Sequence, residues 1–206
     1  MLMFNPIVQD RLRKTMGYFS GACMATGGFT MMLRNSRLAY MNPWAMLALS
    51  VGSMVGTQLV SYENNWALKN MLFTGFVGTM SLSMVPLVHM YAMPVIYDAL
   101  LATGVTVGSL GFVAYNAPSE QFLNWGGPLA LGLGGMLGVS LLSMVYPNSP
   151  ALYNIYLYGG LALFSAFLLY DTQHVMMRAK TDQRYDPINQ SLHIYMDAIN
   201  LFVRFV

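Results

Sequence analysis

Long stretches without a charged side chain are the feature that most constrains how this chain folds. Five such stretches occur, over residues 15–33, 38–62, 70–97, 99–119 and 121–170. The last is broken by the turn sequence Pro147-Asn148-Ser149-Pro150. Each uninterrupted stretch is long enough for one span, because a bilayer core of about 30 Å is crossed by about 20 apolar residues of helix. The pattern predicts six transmembrane helices, over residues 16–33, 40–60, 70–91, 94–115, 127–146 and 152–177.

Composition points to the same class of protein. Charged residues make up only 9% of the chain and hydrophobic residues 56%, whereas a soluble domain is roughly a quarter charged. The formal net charge of +2 is too small to attract a polyanion, so no nucleic-acid partner is expected. The single cysteine, Cys23, excludes an internal disulfide framework and a cysteine-based metal cluster. The apolar runs are continuous and do not alternate, which favours helices over barrel strands.

Residues 188–206 predict a seventh helix of a different kind. Polar residues spaced 4, 4, 3 and 4 apart form one stripe on a helix: Asn189, His193, Asp197, Asn200 and Arg204. A surface-lying amphipathic helix usually carries several Lys or Arg on its polar face, and this stripe has only Arg204. We therefore favour a buried seventh helix with its stripe facing the bundle interior. The expected fold is an all-α membrane protein, a seven-transmembrane-helix bundle over residues 16–206 after a basic N-terminal segment, 1–15.

The basic residues predict which way the bundle faces, because Lys and Arg accumulate in cytoplasmic loops. With seven spans, one side carries Arg11, Arg13, Lys14, Lys69, Arg178, Lys180 and Arg184. The other carries Arg34 and Arg37, with Arg204 near its edge. The N-terminus is therefore expected in the cytosol, or in the matrix of a mitochondrion. We interpret Glu63, Lys69 and Glu120 as loop charges.

Glycines four residues apart occur in several predicted spans: Gly17/Gly21, Gly52/Gly56, Gly104/Gly108 and Gly134/Gly138. Small residues at this spacing let helices approach closely in lipid, although glycine is also simply common in transmembrane helices. Spread over so many helices, the pattern favours one compact bundle.

Two carboxylates fall inside predicted spans, and an ionisable group within a bilayer is a candidate functional residue by default. Asp171 lies near the end of the sixth helix and Asp197 within the seventh. These helices are antiparallel neighbours joined by a short loop. The aspartates lie about seven and ten residues from that loop, so their depths agree within roughly 5 Å. His174 and His193 lie on the same helix faces as the aspartates.

Two carboxyl groups close together in a low dielectric cannot easily both ionise, so such a pair shares a proton. A divalent, oxygen-preferring cation such as Ca²⁺ neutralises the pair in place of the proton. Competition between proton and Ca²⁺ at one site is the minimal chemistry of a pH-gated leak or an exchanger. The alternative is a structural clamp, in which Asp171 hydrogen-bonds a Tyr, Asn or His and holds the last two helices together. For Asp98, near the start of the fourth helix, we favour a local role at the helix terminus.

The segments around both aspartates are similar to motifs of a known family. The Bax-inhibitor-motif transmembrane family has a signature that resembles YGGLALFSAFLLYDTQ at 158–173, YDPIN at 185–189 and IYMDAIN at 194–200. Its mitochondrial branch, the growth-hormone-inducible transmembrane proteins, resembles this chain at APSEQFLN, residues 117–124. The resemblance covers about residues 10–206.

The resemblance implies a seven-helix bundle with the last helix near its centre and a cation path in which Asp171 and Asp197 sense protons and bind calcium transiently. For the mitochondrial branch it implies the inner membrane, calcium–proton exchange, a role in cristae shape and restraint of apoptosis. Some members carry a second-helix arginine that latches the aspartates. Residues 38–62 contain no Arg or Lys. His174, His193 or Arg178 would have to replace this latch, and all three, together with Asn200, are expected to support the pair.

Two rival interpretations come from other classes. Intramembrane aspartyl proteases also pair two aspartates, but their second motif resembles Gly-x-Gly-Asp, and the bulky Ile194-Tyr195-Met196 precedes Asp197 here. Neither a G-x-S-x-G nor an H-E-x-x-H motif occurs, so we expect no enzymatic activity and no cofactor, with calcium as the transported ion. The more serious rival is a non-transporting scaffold of the inner membrane. The expected partners are the lipid bilayer and proteins of the inner membrane or the intermembrane space.

Overall fold

The computed structural model describes residues 5–118 and 120–206, and most of this part of the chain is helical. Its helices are α1 (Pro6–Leu33), α2 (Pro43–Leu59), α3 (Trp66–Met90), α4 (Met93–Asn116), α5 (Gly126–Val145), α6 (Pro150–Thr181) and α7 (Pro187–Phe205). Short 3₁₀ turns over Arg37–Tyr40 and Leu123–Trp125 precede α2 and α5. One π-helical turn, Ile155–Gly159, lies within α6. The prediction of an all-α protein is confirmed for the described residues, and each helix overlaps one predicted segment.

Four of these helices begin with a capping residue followed by proline: Asn5-Pro6, Asn42-Pro43, Ser149-Pro150 and Asp186-Pro187. The side-chain oxygen of the capping residue accepts a hydrogen bond from a backbone N–H of the first turn, at 2.9 Å for Asn42 and Trp44. Proline suits the next position for two reasons. Its ring fixes φ near the helical value, and it lacks an N–H at a position where an N–H would find no acceptor inside the helix. The cap at Asn5 also explains why α1 begins ten residues before the predicted span, within the segment predicted as a basic N-terminal extension.

Among the described residues, four helices are long and apolar enough to cross a membrane: Trp66–Met90, Met93–Asn116, Leu123–Val145 and Pro150–Thr181. They correspond to the predicted third, fourth, fifth and sixth spans. The apolar helix Trp44–Leu59 is shorter, and α1 and α7 are more polar. Length and composition therefore support an integral membrane protein with these four spans, whereas spans by α1, α2 and α7 stay predictions.

The chain divides into two compact units. The first comprises residues 1–96 and 182–195, and it contains α1, α2, α3 and the beginning of α7. The second comprises residues 97–181 and 196–206, and it contains α5, α6, most of α4 and the end of α7. The predicted single domain over residues 16–206 stays a prediction.

In the first unit α1 runs parallel to α3. The rings of Tyr18 and Phe73 meet edge to face with their centroids 5.8 Å apart. Further along both helices, the hydroxyl of Thr30 donates to the carbonyl oxygen of Ser81 at 3.1 Å. Both contacts advance in the same chain direction, as expected when one helix, α2, lies between α1 and α3 in the chain and reverses its direction twice.

The beginning of α7 also runs parallel to α1. The hydroxyl groups of Thr15 and Tyr185 share a hydrogen bond of 2.6 Å, and those of Thr26 and Tyr195 share one of 2.7 Å. Tyr195 is fully buried, and every residue of α7 is buried or half-buried. This burial excludes a surface-lying amphipathic helix and confirms that α7 is an interior helix.

Glycines bring α5 close to α6 in the second unit, but they are not the predicted ones. A Cβ at Gly132 would lie 2.7 Å from a Leu163 methyl group. Of the predicted glycine pairs, only Gly56 has a neighbouring side chain within 4 Å of a Cβ position among the described residues, namely Leu72 at 3.5 Å. Within the described part of the chain, the other members of these pairs have no side chain or distant backbone within 4 Å of a Cβ position, because spacing along one helix does not show which face meets a neighbour.

Candidate functional site

The two buried carboxyl groups lie in the second unit and contact each other. Asp171 on α6 is 7% exposed and Asp197 on α7 is 4% exposed. Their carboxyl groups lie close enough to interact directly. The structure therefore brings together the aspartates that the residue counts place at similar depth. Their role in transport stays a prediction.

One oxygen of this pair has no partner. Asp197 Oδ2 is buried and accepts no hydrogen bond from the described residues, which leaves an acceptor that a proton or a cation can satisfy. Within the described ranges no group of three His, Cys, Asp or Glu residues could hold a metal ion. Two carboxyl groups supply at most four oxygens, whereas Ca²⁺ takes six to eight. Transient binding of calcium at this pair stays a prediction.

The supporting residues predicted on α6 form a column toward the end of that helix. The ring of His174 stacks on Tyr170 with centroids 5.7 Å apart and planes 8° from parallel. Nε of Arg178 donates to His174 Nε2 at 3.3 Å. Arg178 is exposed.

The supporting residues predicted on α7 belong to different units. His193 is half-buried in the first unit. Asn200 lies in the second unit, where its Nδ2 donates to the Met196 carbonyl oxygen at 2.8 Å and its Oδ1 accepts from Arg204 Nη1 at 3.5 Å. The structure thus gives Asn200 contacts within its own helix.

Sequence reasoning missed Gln173, which fastens the loop between α4 and α5 to α6. Its Oε1 accepts from the Phe122 N–H at 2.8 Å, and its Nε2 donates to the carbonyl oxygens of Pro118 at 3.1 Å and Ala114 at 3.5 Å. Gln173 is 5% exposed and lies two residues after Asp171. A polar Thr-Gln pair directly after the aspartate was the available signal, but the loop partners lie in a distant part of the sequence.

Replacing Gln173 by leucine is expected to lower the free energy of unfolding by about 2 to 3 kcal/mol, because it leaves buried backbone groups of the loop without partners. Gln121→Leu is the matched control, since Gln121 lies in the same loop and is exposed. The measurement is unfolding in mixed micelles with increasing denaturing detergent. Equal stability of the two variants would show that the loop does not depend on Gln173.

The interpretation of Lys69 as a loop charge is wrong. Lys69 lies in the first turn of α3 and is fully buried. Its ammonium donates to the Val60 carbonyl oxygen at 2.7 Å and forms an ion pair with Asp186 at 2.5 Å. Oδ1 of Asp186 in turn accepts from the N–H groups of Ile188 and Asn189, both at 3.1 Å. The cation thus lies at the C-terminal end of α2 and the anion at the N-terminal end of α7, where the helix dipoles favour each.

The loop before α7 is also anchored to α1. Nη1 of Arg11 donates to the Asp182 carbonyl oxygen at 2.8 Å, and the guanidinium carbon lies 5.3 Å from the centre of the Tyr185 ring. Burial raises the pKa of Tyr185, so its phenol stays neutral at physiological pH and keeps its hydrogen bond to Thr15. These contacts and the Lys69–Asp186 pair fix the start of the helix that carries Asp197.

These features define an all-helical integral membrane protein with a buried carboxyl pair between its last two helices. The family described as inhibitor of apoptosis-promoting Bax1 (Bax1-I) matches residues 8–206, and the chain belongs to this family. The resemblance seen in the motifs around both aspartates is thereby confirmed.

Several relatives are similar over shorter or longer parts of the chain. The growth hormone-inducible transmembrane protein of Rattus norvegicus is 39% identical over 215 residues, which cover 96% of this chain and 62% of that protein. Bax inhibitor 1 of Drosophila melanogaster is 32% identical over 110 residues, which cover 53% of this chain and 44% of that protein. The Golgi anti-apoptotic protein of Vaccinia virus is 28% identical over 133 residues, which cover 64% of this chain and 54% of that protein. The chain therefore spans less than two thirds of each of these relatives.

Proposed function

We propose that this protein is a pH-dependent cation transporter, either a calcium/proton exchanger or a leak channel, and that it has no enzymatic activity or cofactor. The observation that carries the proposal is the close approach of two carboxyl groups, those of Asp171 and Asp197, both nearly inaccessible to solvent. A buried ionisable pair in a membrane protein is costly and is found where protons or ions move. The pair exchanges its proton for the charge of a passing cation, which couples the two ions at one site.

Seven spans are the topology that we infer for this function. The support comes from the first unit, where α1 and α7 lie parallel to one another and α1 lies parallel to α3, which is long and apolar enough to span. Odd-numbered helices of an up-and-down bundle run in the same direction. The N-terminus then lies in the cytosol or the mitochondrial matrix, on the side that collects most of the basic residues.

The location that we propose is the mitochondrial inner membrane. Its support is the motif at residues 117–124 and the 39% identity to the rat growth hormone-inducible transmembrane protein. The names of other relatives, Bax inhibitor 1 and Golgi anti-apoptotic protein, support a role in restraining apoptosis. The proposed consequences of transport are calcium handling, cristae organisation and cell survival, with inner-membrane or intermembrane-space proteins as partners.

A non-transporting scaffold is the second candidate. The observation that favours it is the same close approach of Asp171 and Asp197, because a hydrogen bond between the two carboxyl groups would join α6 to α7 and serve as a helix clamp. In this function the pair contributes stability and no ion moves past it.

Flux measurements on the reconstituted protein distinguish the two candidates. The purified chain is placed in liposomes, a pH gradient is imposed, and Ca²⁺ entry is followed with an enclosed indicator dye. An exchanger predicts Ca²⁺ movement that reverses direction when the pH gradient is reversed. A leak channel predicts a rate of Ca²⁺ entry that depends on the external pH. Flux no greater than in protein-free liposomes, from protein that elutes as a single species, would overturn the transport proposal and favour the scaffold.

A further inference from the structure

The second unit buries a positive charge with no carboxylate partner. Arg204 on α7 is 9% exposed, and within the described part of the chain it forms no ion pair. Its Nη1 donates to the Asn200 carbonyl oxygen at 3.0 Å, while its Nε has no hydrogen-bond partner among the described residues. A long arginine side chain near a helix end normally extends to water. Here the Arg204 side chain lies against α6 instead, so residues of α6 must hold it there.

The arginine seat, as we call the surroundings of this guanidinium, consists of Tyr156, Gly160 and Phe164 on α6. The guanidinium carbon lies 4.9 Å from the centre of the Tyr156 ring and 4.6 Å from that of Phe164, distances typical of cation–π contact. A Cβ at Gly160 would overlap Nε and would lie 2.6 Å from Cζ and 2.7 Å from Nη2. Only glycine at position 160 leaves room for the charge.

The π-helical turn of α6 explains how both rings reach the arginine. Residues eight positions apart on a regular α-helix point roughly 80° away from each other. A π-helical turn accommodates one additional residue, and Tyr156 lies within such a turn, Ile155–Gly159, which ends before Phe164. The two rings therefore come onto one face, with Gly160 between them. A π-helical turn, a glycine and two aromatic residues together hold a buried cation, although a neutral side chain would pack there without the desolvation cost.

Arg204 and Asp197 belong to the same polar stripe of α7. They are two helical turns apart, which corresponds to a separation of about 10 Å along the helix axis. We propose that Arg204 is a fixed electrostatic barrier that determines which cations pass along this stripe, an inference that rests on the proposed transport function. A fixed positive charge repels a divalent cation twice as strongly as a monovalent one, and arginines exclude cations from other pores in this way. Arg204 therefore slows Ca²⁺ more than K⁺.

The test compares Ca²⁺ flux with K⁺ flux through reconstituted wild type, Arg204→Met and Arg204→Lys at one pH. Removing the charge in Arg204→Met is expected to raise the ratio of Ca²⁺ flux to K⁺ flux roughly tenfold, from the Coulomb difference at this separation. Arg204→Lys retains the charge and is expected to keep the wild-type ratio. An unchanged ratio in a folded Arg204→Met protein would overturn the inference, because an arginine with a purely structural role changes both fluxes together.

Gly160→Ala provides the second variant, which keeps every charge but displaces the guanidinium from its seat. Its flux ratio is expected to lie between those of wild type and Arg204→Met. Gly159→Ala is the matched control, since a Cβ there meets Met136 Sδ at an ordinary 3.7 Å, and its ratio is expected to equal that of wild type. Equal ratios in Gly160→Ala and Gly159→Ala would count against the barrier. Absence of any cation flux in wild type and in Arg204→Met would instead refute the proposed transport function.

Discussion

Replacing either Asp171 or Asp197 by asparagine is expected to abolish pH-dependent Ca²⁺ flux. Asparagine keeps the size of the side chain and still donates to the remaining carboxyl group, so the contact between α6 and α7 persists. The pair nevertheless loses both its exchangeable proton and one of the negative charges that attract a cation. Flux into liposomes, measured over a series of external pH values, is expected to fall to the level of protein-free vesicles in both variants.

Asp98→Asn is the matched control for this experiment. Asp98 is a carboxylate near the start of α4, it is exposed, and it lies outside the aspartate pair. Its replacement is expected to leave the flux and its pH dependence unchanged. Wild-type flux in Asp171→Asn and Asp197→Asn would assign the pair to a helix clamp. In that case Asp171→Leu, which removes the carboxyl group altogether, would lower the stability of the protein without changing its flux.

Replacing Asp186 by asparagine is expected to lower the free energy of unfolding by about 3 kcal/mol, because it leaves the fully buried ammonium of Lys69 without its counter-charge. The asparagine amide retains an oxygen that can cap α7, so the loss of stability comes chiefly from the broken ion pair. The measurement is unfolding in mixed micelles with increasing denaturing detergent, compared between wild type and variant.

Glu63→Gln makes the same chemical change at an exposed pair. Glu63 and Arg184 lie 3.8 Å apart with side chains that are 54% and 86% exposed, so their pairing is screened by water. This control is expected to stay within about 0.5 kcal/mol of wild type. The double variant Lys69→Met with Asp186→Asn removes the unpaired charge and is expected to recover part of the loss. A stable Asp186→Asn protein would show that Lys69 finds another acceptor.

The residues that sequence analysis placed well are those whose role depends on their neighbours along the chain. The polar stripe of α7 follows from helical spacing alone, and counting residues back from one short loop places Asp171 and Asp197 at similar depth. The Asn42-Pro43 sequence that begins α2 is also a local pattern, although the predicted spans rest on hydropathy alone and do not use it. The start of α1 lies ten residues before the predicted span, because hydropathy marks only the apolar part of a helix and not the Asn5-Pro6 cap at which it begins.

The residues that sequence analysis misjudged owe their role to distant partners. Lys69 looked like a loop charge because its ion-pair partner, Asp186, lies in another part of the sequence. Gln173 carried no recognisable motif for the backbone groups of the α4–α5 loop that it binds. The glycine pairs were recognised by spacing, yet the glycine with the closest neighbour is Gly160, which belongs to none of the predicted pairs.

The amino-acid sequence by itself determined that this is an all-helical membrane protein of the Bax1-I family with two carboxylates in its last two helices. Hydropathy, helical spacing and capping depend on short segments, so they can be read directly from residue order. The tertiary structure alone decided that Asp171 and Asp197 lie side by side, that Lys69 is buried against Asp186, and that Arg204 rests on Gly160 between two rings. Such pairings depend on which side chains from distant segments meet in the folded chain. Burial makes an unpaired polar or charged group costly, so each buried group requires a particular partner that residue order does not reveal.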